Sequence, residues 1–355
     1  MAAPVGADAD ADATPLLDQL KGSFERANDG KVPVLTHLND DTSWLLSLAY
    51  PDQVSPPKGR SRYNILIDPW LDGPQEDVAS WFSKQWHLME SSVRTIDALN
   101  AVLCDAERSE SQSTTEAGRK GCSFIDAIAI SHEFTDHCHQ ATLLEVDRAV
   151  PVIATTKAAQ LIRTWHHFDT VMEMPNFTTG TQWRTTSIPP LPSWLGISRL
   201  VTNSDALYYH SAVMICAQRP NCAAEAVDAL IYTPHGVEAS TLSVVATASP
   251  PVDVLALLHG LHDVSIKWSK QLNLGAINAV KAQQMLHAKY WIGTHDEQKR
   301  GSGLIALLLQ RKIITVQEAI DRVQAAEKEE SGHASASIED MTCVELKNGE
   351  SMVLG

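Results

Sequence analysis

A layered α/β fold is the class this 355-residue sequence predicts, and three observations predict it. Short apolar runs of strand length recur along the chain. Stretches with helical apolar spacing lie between them, the alternation that layered α/β architectures show. Four of the apolar runs deliver metal-ligand residue types just past their C-terminal ends, where open α/β sheets place their sites.

The elements follow in order. Leu16 to Phe24 has the spacing of a short helix, inside an acidic N-terminal stretch, residues 1–29, read as a mobile tail. Val32–Leu35 and Trp44–Ala49 are strand candidates. Asn64–Ile67 is another and runs into Asp68. Phe124–Ile130 runs into Ser131-His132, and Val150–Ala154 follows. Tyr209–Ala217 and Ala229–Tyr232 have the makings of an antiparallel pair, followed by Val252–Leu258 and Lys289–Ile292. Helical patterns cover Gln140–Arg148, Thr156–Trp165, Leu274–His287 and, as one or two helices, Leu304–Ala326. Asp105–Gly121 is polar, lacks apolar periodicity and reads as a surface excursion. These readings put the main domain at 30–326. Residues 327–355 follow as a linker, Glu327–Ser337, and a hairpin turning at Asn348-Gly349.

Composition narrows the function. With 44% hydrophobic and 20% charged residues the chain is ordinary globular material. Its formal net charge of -15 repels phosphate backbones and anionic lipid, so neither nucleic acid nor a membrane surface is an expected partner. A small-molecule substrate fits, since a bound dication reverses the local field. No basic-then-apolar leader opens the sequence, and no apolar run reaches the roughly 18 residues of a membrane span. The six cysteines, Cys104, Cys122, Cys138, Cys216, Cys222 and Cys343, include no CxxC pair. Free thiols in a reducing cytoplasm are the expectation, with Cys138 of interest because histidines flank it. P-loop, GxGxxG and GxSxG patterns are absent, which removes support for nucleotide cofactors and for an α/β-hydrolase nucleophile.

The chemistry rests on the strand ends. They carry Asp68; His132, Asp136 and His137; His235; and His295 with Asp296. A divalent cation needs imidazoles and carboxylates converging from rigid supports, and loops anchored at strand ends supply that. Each residue also has an ordinary structural reading. Asp136 is a suitable helix-start aspartate, and buried histidines are commonly just hydrogen-bonded. Asp68 reads as an orienter of a ligating histidine. His166, His167, His259 and His262 read as local packing or solvent contacts. Trp70, Trp81 and Trp86 either rim a pocket beside Asp68 or anchor a loop.

Ser131-His132-Glu133-Phe134-Thr135-Asp136-His137 resembles the HxHxDH signature of the metallo-β-lactamase superfamily, with phenylalanine in place of the middle histidine. Asn64-Ile-Leu-Ile-Asp68-Pro, Ile231-Tyr-Thr-Pro-His235-Gly and Tyr290-Trp-Ile-Gly-Thr-His295 resemble the family's flanking motifs. The likeness spans roughly Val32 to Asp296 and is nearest a divergent branch found in fungi and plants among others. It implies a four-layer αββα sandwich and a site that in the family usually holds two metals. Carried over, one metal site keeps Asp136, His137 and His295. The other keeps His132 and loses its partner at Phe134, with His210 the nearest candidate for its third ligand. His235 stands where the family carries a bridging aspartate, and His139 either supplements the site or packs.

One ion, zinc first among divalent metals, is therefore expected rather than two, and Phe134→His is expected to raise the count. The implied function is a hydrolase acting on an ester, lactone, thioester or amide of a small organic molecule, with Asp136 and Asp68 as its catalytic carboxylates. The alternatives are a non-catalytic or redirected member with a degenerate metal site that acts as a binding protein, and a non-hydrolytic metalloenzyme.

Overall fold

The computed structural model describes residues 13–77, 79, 81–107, 123–202, 209–220, 222, 226–266, 270–304, 307–331 and 341–355. In chain order the first half contains α1 (Thr14–Asn28), β1 (Val34–His37), β2 (Trp44–Ala49), β3 (Arg62–Ile67), β4 (Gln75–Asp77), β5 (Ser83–Trp86), α2 (Ile96–Glu107), β6 (Ala127–Ile130), α3 (Gln140–Leu143), β7 (Val152–Ala154), α4 (Thr156–Arg163) and β8 (Val171–Glu173). The second contains β9 (Leu195–Val201), β10 (Ser211–Gln218), β11 (Val227–Thr233), β12 (Asp253–His259), β13 (Asp263–Ile266), β14 (Lys270–Asn273), α5 (Ala276–Leu286), β15 (Tyr290–Ile292), β16 (Arg300–Ser302), β17 (Leu309–Lys312), α6 (Val316–Ser331), β18 (Cys343–Val344) and β19 (Ser351–Val353).

Two sheets face each other. One is ordered β19-β1-β2-β3-β6-β7-β8 and the other β18-β15-β12-β11-β10-β9. From β3 to β8 and from β11 to β18 neighbouring strands run parallel. Side chains alternate across each strand, so one residue set faces the other sheet and the next faces helices. Ala127, Ala129, Ile65 and Ile67 belong to the apolar layer between the sheets, with Ile215, Leu258 and Ile292 from the opposite side. Ile128, Ile130 and Leu66 instead meet Leu20, Phe24, Leu99 and Ile162 of the helices on the outer face. Ile231 and Leu257 likewise meet Val280, Ile320 and Val323 of α5 and α6. The result is the four-layer αββα sandwich.

The structure amends the reading of both ends. Leu16, Leu20, Phe24 and Ala27 of α1 are fully buried, so Thr14–Asn28 is a packed helix and not a tail; its apolar face covers the first sheet while Asp18, Lys21, Glu25 and Arg26 are exposed. Residues 1–12 lie outside the described residues. The expected C-terminal hairpin does not close, because β18 pairs with β15 and β19 pairs with β1, in different sheets. Its turn is held elsewhere: Asn348 N donates to Asp40 Oδ1 at 2.8 Å and Gly349 N to the His37 carbonyl at 2.7 Å. The linker's first residues continue α6, and 332–340 lie outside the described residues, as do 108–122 of the polar excursion. Leu309–Lys312 is a strand, not helix. It pairs with β13, whose other partner is β14, and β16-β5-β4 makes a second small sheet. Among the described residues no helix is long and apolar enough to cross a membrane.

Candidate metal centre

The strand ends converge on one region. Asp68 follows β3, His132 to His137 follow β6, His235 follows β11 and His295 follows β15. The rings of His137, His235 and His295 form a near-equilateral triangle, with centroids 4.9, 5.0 and 5.0 Å apart. Asp136 Oδ1 lies 3.6 Å from His137 Nε2 and its Oδ2 lies 3.9 Å from His295 Nε2. Among the described residues, two sets of three have ligand atoms within 4.8 Å of one another, Asp136-His137-His295 and His132-His137-His235.

Each triangle histidine is held from behind. Nδ1 of His137 donates to Asp68 Oδ2 at 2.8 Å, Nδ1 of His295 to Asp41 Oδ1 at 2.9 Å, and Nδ1 of His235 to Asn273 Oδ1 at 2.8 Å. An acceptor at Nδ1 fixes the tautomer and leaves a lone pair on Nε2. Asp68 is wholly buried and receives the Ser131 amide on its other oxygen at 2.7 Å. Asp68 and His295 both sit in the left-handed region, φ 43° and 58°, a conformation that costs a non-glycine residue of order 1–3 kcal/mol. Gly236 (φ 79°) turns the chain after His235, and a Cβ there would stand 2.6 Å from Leu274 Cβ.

Nε2 of His137 and of His235 are buried without a hydrogen-bond partner. An unmet buried polar atom costs roughly 1–3 kcal/mol, so two lone pairs in one histidine triangle are a built request for a cation. Three imidazoles and a carboxylate are a borderline-soft donor set, and the residues fit a divalent metal.

The other candidates divide. His132 lies in the cluster, 4.6 Å from the His235 ring, but its Nε2 faces the Tyr209 carbonyl at 2.9 Å and its Nδ1 the Ser131 hydroxyl at 2.8 Å. Phe134 stacks on Tyr209 at 4.9 Å and lies 5.9 Å from the His132 ring. His139 caps α3 through Thr142, and His210 contacts the Leu272 carbonyl at 3.2 Å; neither belongs to the ligand sets. His259 bonds Gly260 and Asn278, and His167 the Val146 carbonyl. Cys138 is buried, and burial pushes its thiol up. Trp70 is an anchor, fully buried with Nε1 on the Gly73 carbonyl, whereas Trp81 is 69% exposed.

Two further residues escaped the sequence reading. Asp41 lies between β1 and β2 and holds His295. Lys299 Nζ lies 2.7 Å from Asp41 Oδ2 and 2.8 Å from Asp136 Oδ2, with its side chain only 8% exposed. Burial alone would lower the ammonium's pKa, but the carboxylates of Asp136 and Asp41 outweigh it and raise it. Burial alone would likewise raise the two carboxyls. Instead Lys299, His137 and His295 hold Asp136 well below the usual range, and His295 and Lys299 do so for Asp41. Burial lowers His132 and His235 well below 6.5, whereas the Asp136 and Asp68 charges overcome burial and raise His137.

A cavity of about 260 Å³ opens onto this cluster. His235, His295, Asp136 and Lys299 line one side of it; Ile266, Leu272 and Leu309 of the β14-β13-β17 sheet, with Phe82 just before β5, give it an apolar wall.

No protein-family model matches the chain, and no curated protein matches it in sequence. In structure it is similar to the isothiocyanate hydrolase from Delia radicum gut bacteria, at 16% identity and TM-score 0.51, over 90% of this chain and 99% of that one. It is similar to a possible metal-dependent hydrolase from Veillonella parvula DSM 2008, at 11% identity and TM-score 0.51, over 91% and 100%. The metallo-beta-lactamase fold protein YhfI from Bacillus subtilis aligns at 11% identity and TM-score 0.44, over 91% and 99%. At such identities the likeness speaks to the fold alone. Two facing sheets with helices outside them and histidines at the strand ends make this chain a metallo-β-lactamase fold.

Proposed function

We propose that the protein is a metal-dependent hydrolase that binds one divalent cation, zinc, through Asp136, His137, His235 and His295. The observation that carries this reading is His137 Nε2, which is buried, unpartnered and common to both ligand sets. Its Nδ1 is spent on Asp68, so the ring has one donor atom to give and one cation to give it to. The Phe134 substitution in the motif supports a divergent branch of the superfamily.

When bound, the cation supplies a Lewis acid and brings the pKa of water in the cavity toward about 7. The protein's own groups prepare the rest. Asp68, Asp41 and Asn273 keep three imidazoles in the tautomer that presents Nε2. Asp68 is therefore a positioning residue, both of its oxygens being occupied away from the cavity. Lys299 keeps the Asp136 carboxylate ionised. The apolar wall limits water and leaves a place for the hydrocarbon part of a substrate. A small ester, lactone, thioester or amide suits these surroundings: its carbonyl would face His235 and His295 and its apolar part Phe82 and Leu309. The net charge of -15 supports a small molecule over nucleic acid, and the free thiols of Cys138, Cys216, Cys222 and Cys343 support a reducing cytoplasm.

The test is metal content by mass spectrometry on protein purified without chelator, followed by turnover of a panel of aryl esters, lactones and acyl thioesters. Near-stoichiometric metal and activity, both lost in His137→Ala, are expected. Protein that takes up no metal on reconstitution overturns the reading, and metal with no turnover across the panel overturns its hydrolytic part.

A further inference from the structure

We infer that the Lys299 ammonium is a built-in cation that occupies a second cation position beside the proposed metal centre and fixes its capacity at one divalent ion. This rests on the metal-binding reading above and adds to it a residue that sets stoichiometry.

Geometry is the first support. Asp41 Oδ2 and Asp136 Oδ2 come from distant parts of the chain and aim at one point, which Nζ fills at 2.7 and 2.8 Å. Trp70 closes that point on another side, its ring centroid 5.3 Å from Nζ. Asp136 thus has two faces: Oδ1 lies 3.6 Å from His137 Nε2, while Oδ2 lies 2.8 Å from Lys299 Nζ and 3.9 Å from His295 Nε2. A carboxylate bridging two cations has this arrangement, with one cation here supplied by the chain. Zinc–oxygen distances are ~2.1 Å, so a second ion at this point would need the two carboxylates to close in by well under an ångström each.

Charge is the second support. Asp41 and Asp68 are fully buried and Asp136 is 9% exposed, which gathers three negative charges in a region of low dielectric. Lys299 offsets one of them, and a single dication offsets the remaining two. Glu297 and Arg311 also line the cavity with charges of opposite sign, and the Glu297 oxygens accept from His87 Nδ1 at 2.6 Å and the Leu88 amide at 2.7 Å. A second dication added to this set would leave uncompensated positive charge, whereas removing the lysine creates a deficit that invites one.

The experiment compares wild type with Lys299→Met, which keeps an unbranched stem over Trp70 and drops the charge. Zinc per chain is measured by mass spectrometry after equilibration with excess zinc and desalting, and folding by circular dichroism. Wild type should hold about one ion and Lys299→Met about two. A folded Lys299→Met that still holds one overturns the inference, and so does a wild type that holds two. Should the Met variant fail to fold, Lys299→Gln, which also drops the charge but keeps a polar group on the stem, carries the same expectation and the same refutation. Wild type that holds no ion at all defeats the metal reading itself, a result distinguishable from failure of the lysine's role.

Discussion

His137 Nδ1 donates to Asp68 Oδ2 across 2.8 Å, and both side chains are completely buried. The aspartate reaches no part of the cavity, so its effect on any chemistry passes through the imidazole it orients. Asp68→Asn should lower zinc affinity by about 10- to 100-fold, the usual effect of removing a carboxylate behind a ligating histidine. Competition against a chromophoric chelator measures it. Wild-type affinity in a folded Asp68→Asn variant would show that the ring needs no such support.

His132 and His137 belong to the same cluster but differ in what their Nε2 atoms meet, a backbone carbonyl for one and nothing for the other. His137→Ala should abolish stoichiometric metal, while His132→Ala should retain it and lose stability of about 1–3 kcal/mol for the carbonyl left unpaired. Metal analysis and urea unfolding of the two variants separate a ligand from a structural histidine. Equal loss of metal in both would move the ion to the His132-His137-His235 set.

The surroundings of Phe134 lead to the opposite expectation from the one that the motif gives. A histidine at 134 would restore the HxH pair, yet the ring beside it has no free nitrogen, and His137 has one donor atom already claimed. Phe134→His should leave the metal count unchanged. It should also cost about 0.5–1.5 kcal/mol through loss of stacking on Tyr209. Mass spectrometry reads the first quantity and thermal unfolding the second; a gain of an ion would mean that His132 swings off the Tyr209 carbonyl.

What the sequence could reveal follows a physical line. Asp68, the His132–His137 segment, His235 and His295 each follow an apolar run, so strand period and strand-end position exposed them together with the α/β class. Asp41 and Lys299 follow no such rule. Asp41 sits in the polar turn Asn39-Asp40-Asp41-Thr42-Ser43, where Asn39 Oδ1 accepts the amides of residues 41 and 43; in sequence this is any surface turn. Lys299 stands in a charged stretch, Asp296-Glu297-Gln298-Lys299-Arg300, whose ordinary reading is a solvated loop. Its burial arises only when β16 pairs with β5 and the loop folds over Trp70. Long-range pairing also explains the C-terminus: the Asn-Gly turn is real, but its flanking strands each find a better partner in a pre-existing sheet edge than in each other.

Acid should destabilise the metal-free protein through its buried histidines. Burial holds His132 and His235 well below the usual 6.5, and it lowers His37, His259 and His295 as well. In the unfolded chain these rings take up protons as pH falls through 6.5, and in the folded chain they do not. The stability they permit is complete above 6.5 and is lost progressively below it, until each folded pKa is reached. His137 works in the opposite sense, since its pKa is raised, and so does Asp296, which burial pushes up to about 7; together they offset two of them. Each uncompensated ring contributes a slope of up to about 1.4 kcal/mol per pH unit. Chelated protein should therefore lose at least about 1–3 kcal/mol between pH 7 and pH 5 in urea unfolding, and zinc should delay the loss by holding the imidazoles deprotonated. A flat stability profile across that interval would mean that the histidines charge freely inside the fold, against the burial of His132, His235 and His295.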